Sequence, residues 1–535
     1  MRKELTRRQS LSLVGASALA LGAGGRALGG RLTRLDCPNG AVRRVATTVA
    51  GAEFTGLFLT DDGTLFCNVA HPDGGNAPPY DRGGIGVFEG VDVRSLPTDF
   101  DSLPPTWTSI GRRTFRTKFG THRVLANGGD PTTTGERLGI TTDPTGAELT
   151  DGSKPDFNGF VPLPGSESEG HLFTAWEHIP GAVSRLELRR DGGGVDGPWS
   201  VVRSENLDLR PVDGIWNPCF GTVSPWGTPL LSEEYEPDAG QWARGVSYKN
   251  SHQLVNRYLG REGNPYRYGW IVEVTAPLAP TPRFVRRFAM GRFSHENAVV
   301  MPDRRTVYLT DDGTASVLFK FVADRPGDLA SGMLYAAKLT QDEERDPGRA
   351  GFDVSWVELA HGREADVARW VAEYDRRPTA SRYIGRGEIA AWARGDASDD
   401  RVAFLESRRA AQAAGATAEW HKLEGVNVRP GAEPGDFLFL AVSSVRGTML
   451  GNEVAGAYAT PRDDVRLQEV EQGALYCAEL DGSFDVARID PAVVGSRKTF
   501  WGPDNVVVLP DGRVLIGEDG PHHPNELWLF DPAHE

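Results

Sequence analysis

Short apolar runs recur along this chain in one arrangement. A polar residue leads, a few largely apolar positions follow, a turn rich in Pro, Asp or Gly reverses the chain, and a second apolar run returns. In "FSHENAVVMPDRRTVYLTDD" (Phe293–Asp312), Glu296 stands six residues before Pro302. The same step separates Glu424 from Pro430, Asp504 from Pro510, Cys219 from Pro225 and Asn158 from Pro164, while Thr55 precedes Asp61. Alternating or continuous Val, Leu and Phe on either side of such turns predict a β-hairpin at each copy. The stretches between copies leave room for two more strands each, so the repeat predicts an all-β, six-bladed β-propeller over residues 31–535. Two stretches, near 82–148 and 360–415, are expected to be insertions. "READVARWVAEYDRRP" and "DDRVAFLESRRAAQAAGAT" in the second carry helical spacing and are expected to cap the propeller or cover its mouth.

In a propeller, the innermost strand of every blade starts at the same end of the central channel. The anchors Thr55, Asn158, Cys219, Glu296, Glu424 and Asp504 are therefore expected to form one ring. The second strands return to that end with Glu177, Glu233–Glu234, Asp311–Asp312, Ser443–Ser444 and Glu518–Asp519, with His71 as the first copy's only candidate. So many carboxylates cannot all stay ionised in one place without protons, basic partners or metal ions. Oxygen donors suit Ca2+, and a thiolate among them suggests a softer or trivalent metal such as iron.

Composition narrows the partners. The chain has 535 residues, 64 of them Gly and 36 Pro, which favours turns over long helices, and its formal charge of −15 argues against nucleic acid or an anionic membrane surface. It would also repel an anionic substrate unless the site held cations of its own. "MRKELTRRQSLSLVGASALALGAGG", with Arg7–Arg8 before a mild apolar stretch too short to span a bilayer, reads as a twin-arginine export signal over residues 1–30. Export would deliver the protein to the periplasm, cell surface or medium, with the export machinery as its one expected protein partner. The mature chain is expected to act as a monomer without stable membrane insertion. Four Cys without CxxC spacing exclude a zinc-finger-type site, and leave Cys37 and Cys67 as a candidate pair after export.

An ordered set of segments then resembles a known family. "PDFNGFVPLPGSESEGHLFTAWEH", "NPCFGTVSPWGTPLLSEE", "GRFSHENAVV", "VYLTDDGTASVLFKFVAD", "RRAAQAAGATAEWHKLEGVNVRP" and "GPDNVVVLPDGRVLIGEDG" are similar to the PhoX family of secreted alkaline phosphatases. The resemblance implies a six-bladed propeller holding calcium and iron (Ca2+ and Fe3+) at one end and hydrolysing phosphate monoesters. It places Cys219 and Glu296 at iron-ligand positions, and Glu424 and Asp504 at metal-binding acids. It assigns Glu177, Glu233, Glu234, Asp311 and Asp312 to calcium or to support behind the ligands. Two departures stand out: Lys422–Leu423 where the family has Arg-Pro, and Ser443–Ser444 where it tends to have Asn. Lys keeps the charge but loses the bidentate fork. Lys422, Glu296 and Glu424 are the expected catalytic residues, with Lys422 as the phosphate contact. His295 is expected to pack at a blade junction rather than bind metal. The rival readings are a calcium-dependent propeller lactonase or esterase, against which Cys219 counts, and a non-catalytic, metal-stabilised binding protein.

Overall fold

The computed structural model describes residues 37, 40–192, 197–376, 383–451, 463–521 and 524–533. The export signal expected over residues 1–30 lies outside them. The described chain is mostly β, and its strands pair antiparallel almost throughout. Three four-stranded sheets come first, beginning with Glu53–Leu59, Pro155–Pro162 and Pro218–Val223. A nine-stranded sheet follows. It runs outward from His295–Val300 to Phe352–Arg363, which pairs with Arg488–Val494, and then back inward to Leu423–Val428. The last sheet starts at Pro503–Val508. Each of these starting strands neighbours the next, and Pro503–Val508 neighbours Glu53–Leu59, so they close a ring.

Strand periodicity explains why the runs are apolar throughout. Leu438, Leu440 and Val442 of strand Phe437–Val442 join Tyr308, Leu339 and Phe352 on one side. Phe439 and Ala441, between them in sequence, join Val506, Ile516 and Trp528 on the other. Both faces of the strand are buried, so hydrophobic and polar positions do not alternate along it. The same sandwiching closes the circle, where Val507, Leu515 and Leu529 of the last sheet pack on Phe54, Leu57 and Leu65 of the first. Each such side chain, fully buried, contributes about 1.5–3 kcal/mol.

Two features depart from the pattern of local hairpins. In the stretch expected as an insertion near 82–148, Gly84–Glu89 and Thr121–Asn127 supply the third and fourth strands of the first sheet. The last sheet contains only three strands from the C-terminal region. Its fourth is Ala41–Thr47, which pairs with Glu526–Asp531. The N-terminal strand thereby closes the ring.

A disulfide reinforces that closure. Cys37 bonds Cys477, with Cα atoms 6.1 Å apart and a sequence separation of 440, and does not bond Cys67, which is a buried free thiol. Cys67 lies on a strand inside the first sheet, whereas Cys37 precedes the closing strand and reaches the sheet next to it. Replacing Cys37 with Ser is expected to cost about 2–4 kcal/mol, because the unfolded chain regains the freedom of a very long loop. Urea unfolding with and without reductant tests this: wild type should shift on reduction and the variant should not.

Candidate metal centre

Each starting strand is irregular near its first residues. The pairing register slips between Pro155 and Asn158, Pro218 and Gly221, His295 and Asn297, Leu423 and Val426, and Pro503 and Val506. A residue caught in such a bulge is freed from the ladder and re-aimed. The residues caught are Asp156, Cys219, Glu296, Glu424 and Asp504. In the first sheet the slip falls between Thr55 and Phe58, and Glu53, which opens that strand, takes the place of the bulge acid.

The re-aimed side chains converge. Donor atoms of Cys219, Glu234 and Glu296 lie within 4.8 Å of one another, and so do those of Glu296, Glu424 and Asp504, and those of Glu53, Asp504 and Asp519. Glu296 and Asp504 each belong to two groups, so the three form one continuous line of donors. The Cys219 thiol donates to Asp156 Oδ2 at 3.6 Å.

The acid pairs on the second strands divide their labour, because neighbours on a strand point to opposite faces. Glu233 faces away from the donors: its Oε1 accepts from Trp216 N and Arg286, both at 3.0 Å, and its Oε2 accepts from Gly269 N and Trp270 N. Asp311 likewise accepts both arms of Arg408 and the Val317 amide. Glu518 accepts from Trp501 N, Trp528 Nε1 and Glu526 N. The second member of each pair faces the donors. Glu234 and Asp519 enter the groups above, while Asp312 accepts from Lys422 Nζ at 2.9 Å. Glu177 accepts from Lys154 Nζ at 2.7 Å and from Asn217 Nδ2 at 3.2 Å.

Charge is the controlling feature here. Burial, and then the charge of neighbouring acids, pushes the carboxyls of Asp156, Glu234, Glu296 and Asp504 well above the usual range. Burial, followed by Asp312, raises Glu424 to about 7 despite Lys422, and burial with Asp519 raises Glu53 to about 7 despite its 2.9 Å contact with His71. Asp312 goes the other way: burial opposes its ionisation, but the Lys422 ammonium and hydrogen bonds hold it down to about 2. Lys422 lies 2.8 Å from Glu424 as well, and although burial works against its charge, these acids keep it protonated. Two oxygens, Asp156 Oδ1 and Glu296 Oε1, are buried without a hydrogen-bonding partner among the described residues. Buried acceptors are costly to leave unpaired. A set of oxygen donors and one thiol, crowded, undercompensated and with spare lone pairs, fits metal cations.

Other expected residues have different surroundings. Asn158 donates to Gly56 O at 3.0 Å and Asn68 Oδ1 at 2.7 Å, and Thr55 donates to Pro155 O. Both tie neighbouring starting strands together instead of joining the donors. His295 is buried, with Nε2 3.0 Å from the Gly291 carbonyl and its ring tilted against Phe293, and burial depresses it to about 3. Ser443 hydrogen-bonds Glu424, and Ser444 Oγ is buried without a partner among the described residues. Sequence reasoning missed Asp156, although Pro155–Asp156 repeats Pro218–Cys219 and Pro503–Asp504. Counting back from the turn selected Asn158 because this hairpin is two residues longer at its open end. Tyr235 was also missed: it is 40% exposed, has φ 50°, and its phenol hydrogen-bonds Asp312.

The family model described as alkaline phosphatase PhoX matches residues 187–532. No curated protein matches the chain. Among solved structures it is similar to XC5397 from Xanthomonas campestris, described as a gluconolactonase, at 9% identity and TM-score 0.33 over 93% of this chain and 95% of that one. It is also similar to a Trypanosoma rangeli sialidase, at 7% identity and TM-score 0.35 over 91% of this chain and 55% of that one.

Proposed function

Because the chain belongs to the PhoX alkaline phosphatase family and is a phosphatase, we propose that it hydrolyses phosphate monoesters at the donor line described above. On this reading the ring of starting strands is the axis of a six-bladed propeller and the donors occupy its mouth. Cys219, Glu234, Glu296, Glu424 and Asp504 hold the ions, with Glu53, Asp156 and Asp519 completing the line and Glu177 and Asp312 beside it. Glu233 and Asp311 stand behind as supports, since their lone pairs already accept N–H donors. Calcium suits the all-oxygen end and iron the end with Cys219. When bound, such ions would neutralise the phosphate dianion, polarise its oxygens and stabilise charge developing in transfer. The protein would act outside the cytoplasm after twin-arginine export.

The chain's own contribution is positional. Lys422, fixed by Asp312 and Glu424, keeps a positive charge at the edge of an acidic cluster. Glu296 and Glu424 hold the ions beside it in a bulged backbone that the flanking hydrogen bonds lock, including Ser232 Oγ to Glu296 O at 2.7 Å. Among the described residues, no helix is long and apolar enough to cross a membrane.

The observation that carries this reading is the set of overlapping donor groups with buried, partnerless oxygens in a phosphatase family member. Purified protein loaded with Ca2+ and iron, given an aryl phosphate and separately a lactone, is expected to release phosphate and leave the lactone intact. No phosphate release under any metal condition would overturn it. Lactone hydrolysis in its place would favour the calcium-dependent lactonase.

A further inference from the structure

The ammonium of Lys422 is already committed. Asp312 and Glu424 both sit within 3 Å of Nζ, so little of its donor capacity is left for an incoming phosphate. A further cation close to Lys422 is Arg446. It stands two residues after Ser444, and Ser443 hydrogen-bonds Glu424. Arg446 Nε donates to His421 Nε2 at 2.9 Å, and His421 immediately precedes Lys422.

The anchoring is unusual for an arginine in so acidic a protein. Arg446 is exposed, and among the described residues its two terminal nitrogens make no ion pair and no hydrogen bond. His421, in contrast, is only 8% exposed. It sits on the short strand Trp420–His421, which pairs with Thr314–Ser316 just beyond Asp311–Asp312. Because His421 Nε2 accepts from a guanidinium, its ring proton resides on Nδ1, and the ring is neutral. A neutral acceptor fixes the arginine without cancelling its charge. A carboxylate in that position would have neutralised it.

Resting on the phosphatase reading above, we infer that Arg446, held through Nε by His421, presents its two terminal nitrogens to the substrate phosphate beside Lys422. Planar guanidinium donors match two phosphate oxygens at once, which the ammonium of Lys422 cannot do. His421 acts through Arg446 and is a positioning residue. Lys422 orders Asp312 and Glu424, and Arg446 grips the ester.

The test compares wild type with Arg446→Ala, Arg446→Lys, His421→Ala and His421→Gln, each loaded with Ca2+ and iron. Arg446→Ala is expected to raise KM for an aryl phosphate, and the inhibition constant of inorganic phosphate, by about tenfold to hundredfold, with bound metal unchanged. Arg446→Lys should keep most of that loss, because it restores charge and not the planar donors. His421→Ala should show a smaller rise in KM, and His421→Gln, which still offers an acceptor, should recover part of it. Calorimetric titration with inorganic phosphate makes the same comparison without turnover. Unchanged KM and phosphate binding in Arg446→Ala, or loss of its metals, would overturn the inference. Wild type that carries its metals and releases no phosphate from the ester would overturn the underlying reading, while the titration would still decide the role of Arg446.

Discussion

Glu296→Gln is expected to strip the centre of metal and lower kcat/KM for an aryl phosphate by about a thousandfold or more, the equivalent of roughly 4 kcal/mol of transition-state stabilisation. The reason is its place in the line of donors. Glu296 belongs both to the group with Cys219 and Glu234 and to the group with Glu424 and Asp504. Gln keeps the shape and one carbonyl oxygen but removes the charge both groups rely on. The backbone should tolerate the change, since the bulge is held by main-chain contacts such as Ser232 Oγ to Glu296 O. Among the described residues, Glu296 Oε1 also has no hydrogen-bonding partner to lose. In chelator-treated protein the substitution takes one buried acid out of a crowd of like charges, so the metal-free variant should unfold no earlier than metal-free wild type. Elemental analysis, steady-state kinetics and urea unfolding on the same preparations separate loss of metal from loss of fold. A variant retaining both metal and activity would remove Glu296 from the centre.

That residue was legible in the sequence because two signals coincided on it. The apolar run after Glu296 marked a strand, and the six-residue step to Pro302 repeated elsewhere. Where the signals separate, the sequence misleads. The second hairpin is longer at its open end, so the step from the turn lands on Asn158, a tie between strands, and passes over Asp156, which the bulge delivers beside Cys219. Acid pairs were visible as pairs, but which member faces the donors depends on strand direction and twist. Glu233, Asp311 and Glu518 turn out to be saturated by backbone and side-chain N–H groups. The long-range features had no local mark at all. Pairing of Ala41–Thr47 with Glu526–Asp531 and the Cys37–Cys477 bond are decided by how the ring closes, and the contact of Arg446 with His421 by how the chain on either side of one hairpin folds back.

The helical stretch within 360–415 illustrates the same limit, and it yields the other large expected effect. Spacing identified the helices, but their attachment comes from single side chains. Arg408, on helix Ser407–Ala414, reaches Asp311 with both arms, and Arg292 donates to the Leu405 carbonyl just before that helix. Asp311 is fully buried, and even with Arg408 in place burial raises it to about 7, so its ionised form depends heavily on that partner. Arg408→Met should therefore cost about 3–5 kcal/mol, the usual penalty for stranding one member of a buried ion pair. Activity should fall too, because Asp311 directly precedes Asp312, which positions Lys422. The double variant Arg408→Met with Asp311→Leu removes both charges and should regain much of the stability, since an apolar pair can replace a buried ion pair at little cost. Urea midpoints for the two single variants and the double variant give the coupling directly. If Arg408→Met unfolds at the wild-type midpoint, the helices do not clamp the centre. A large coupling would instead make this segment part of the frame that holds Asp312 and Lys422 in place.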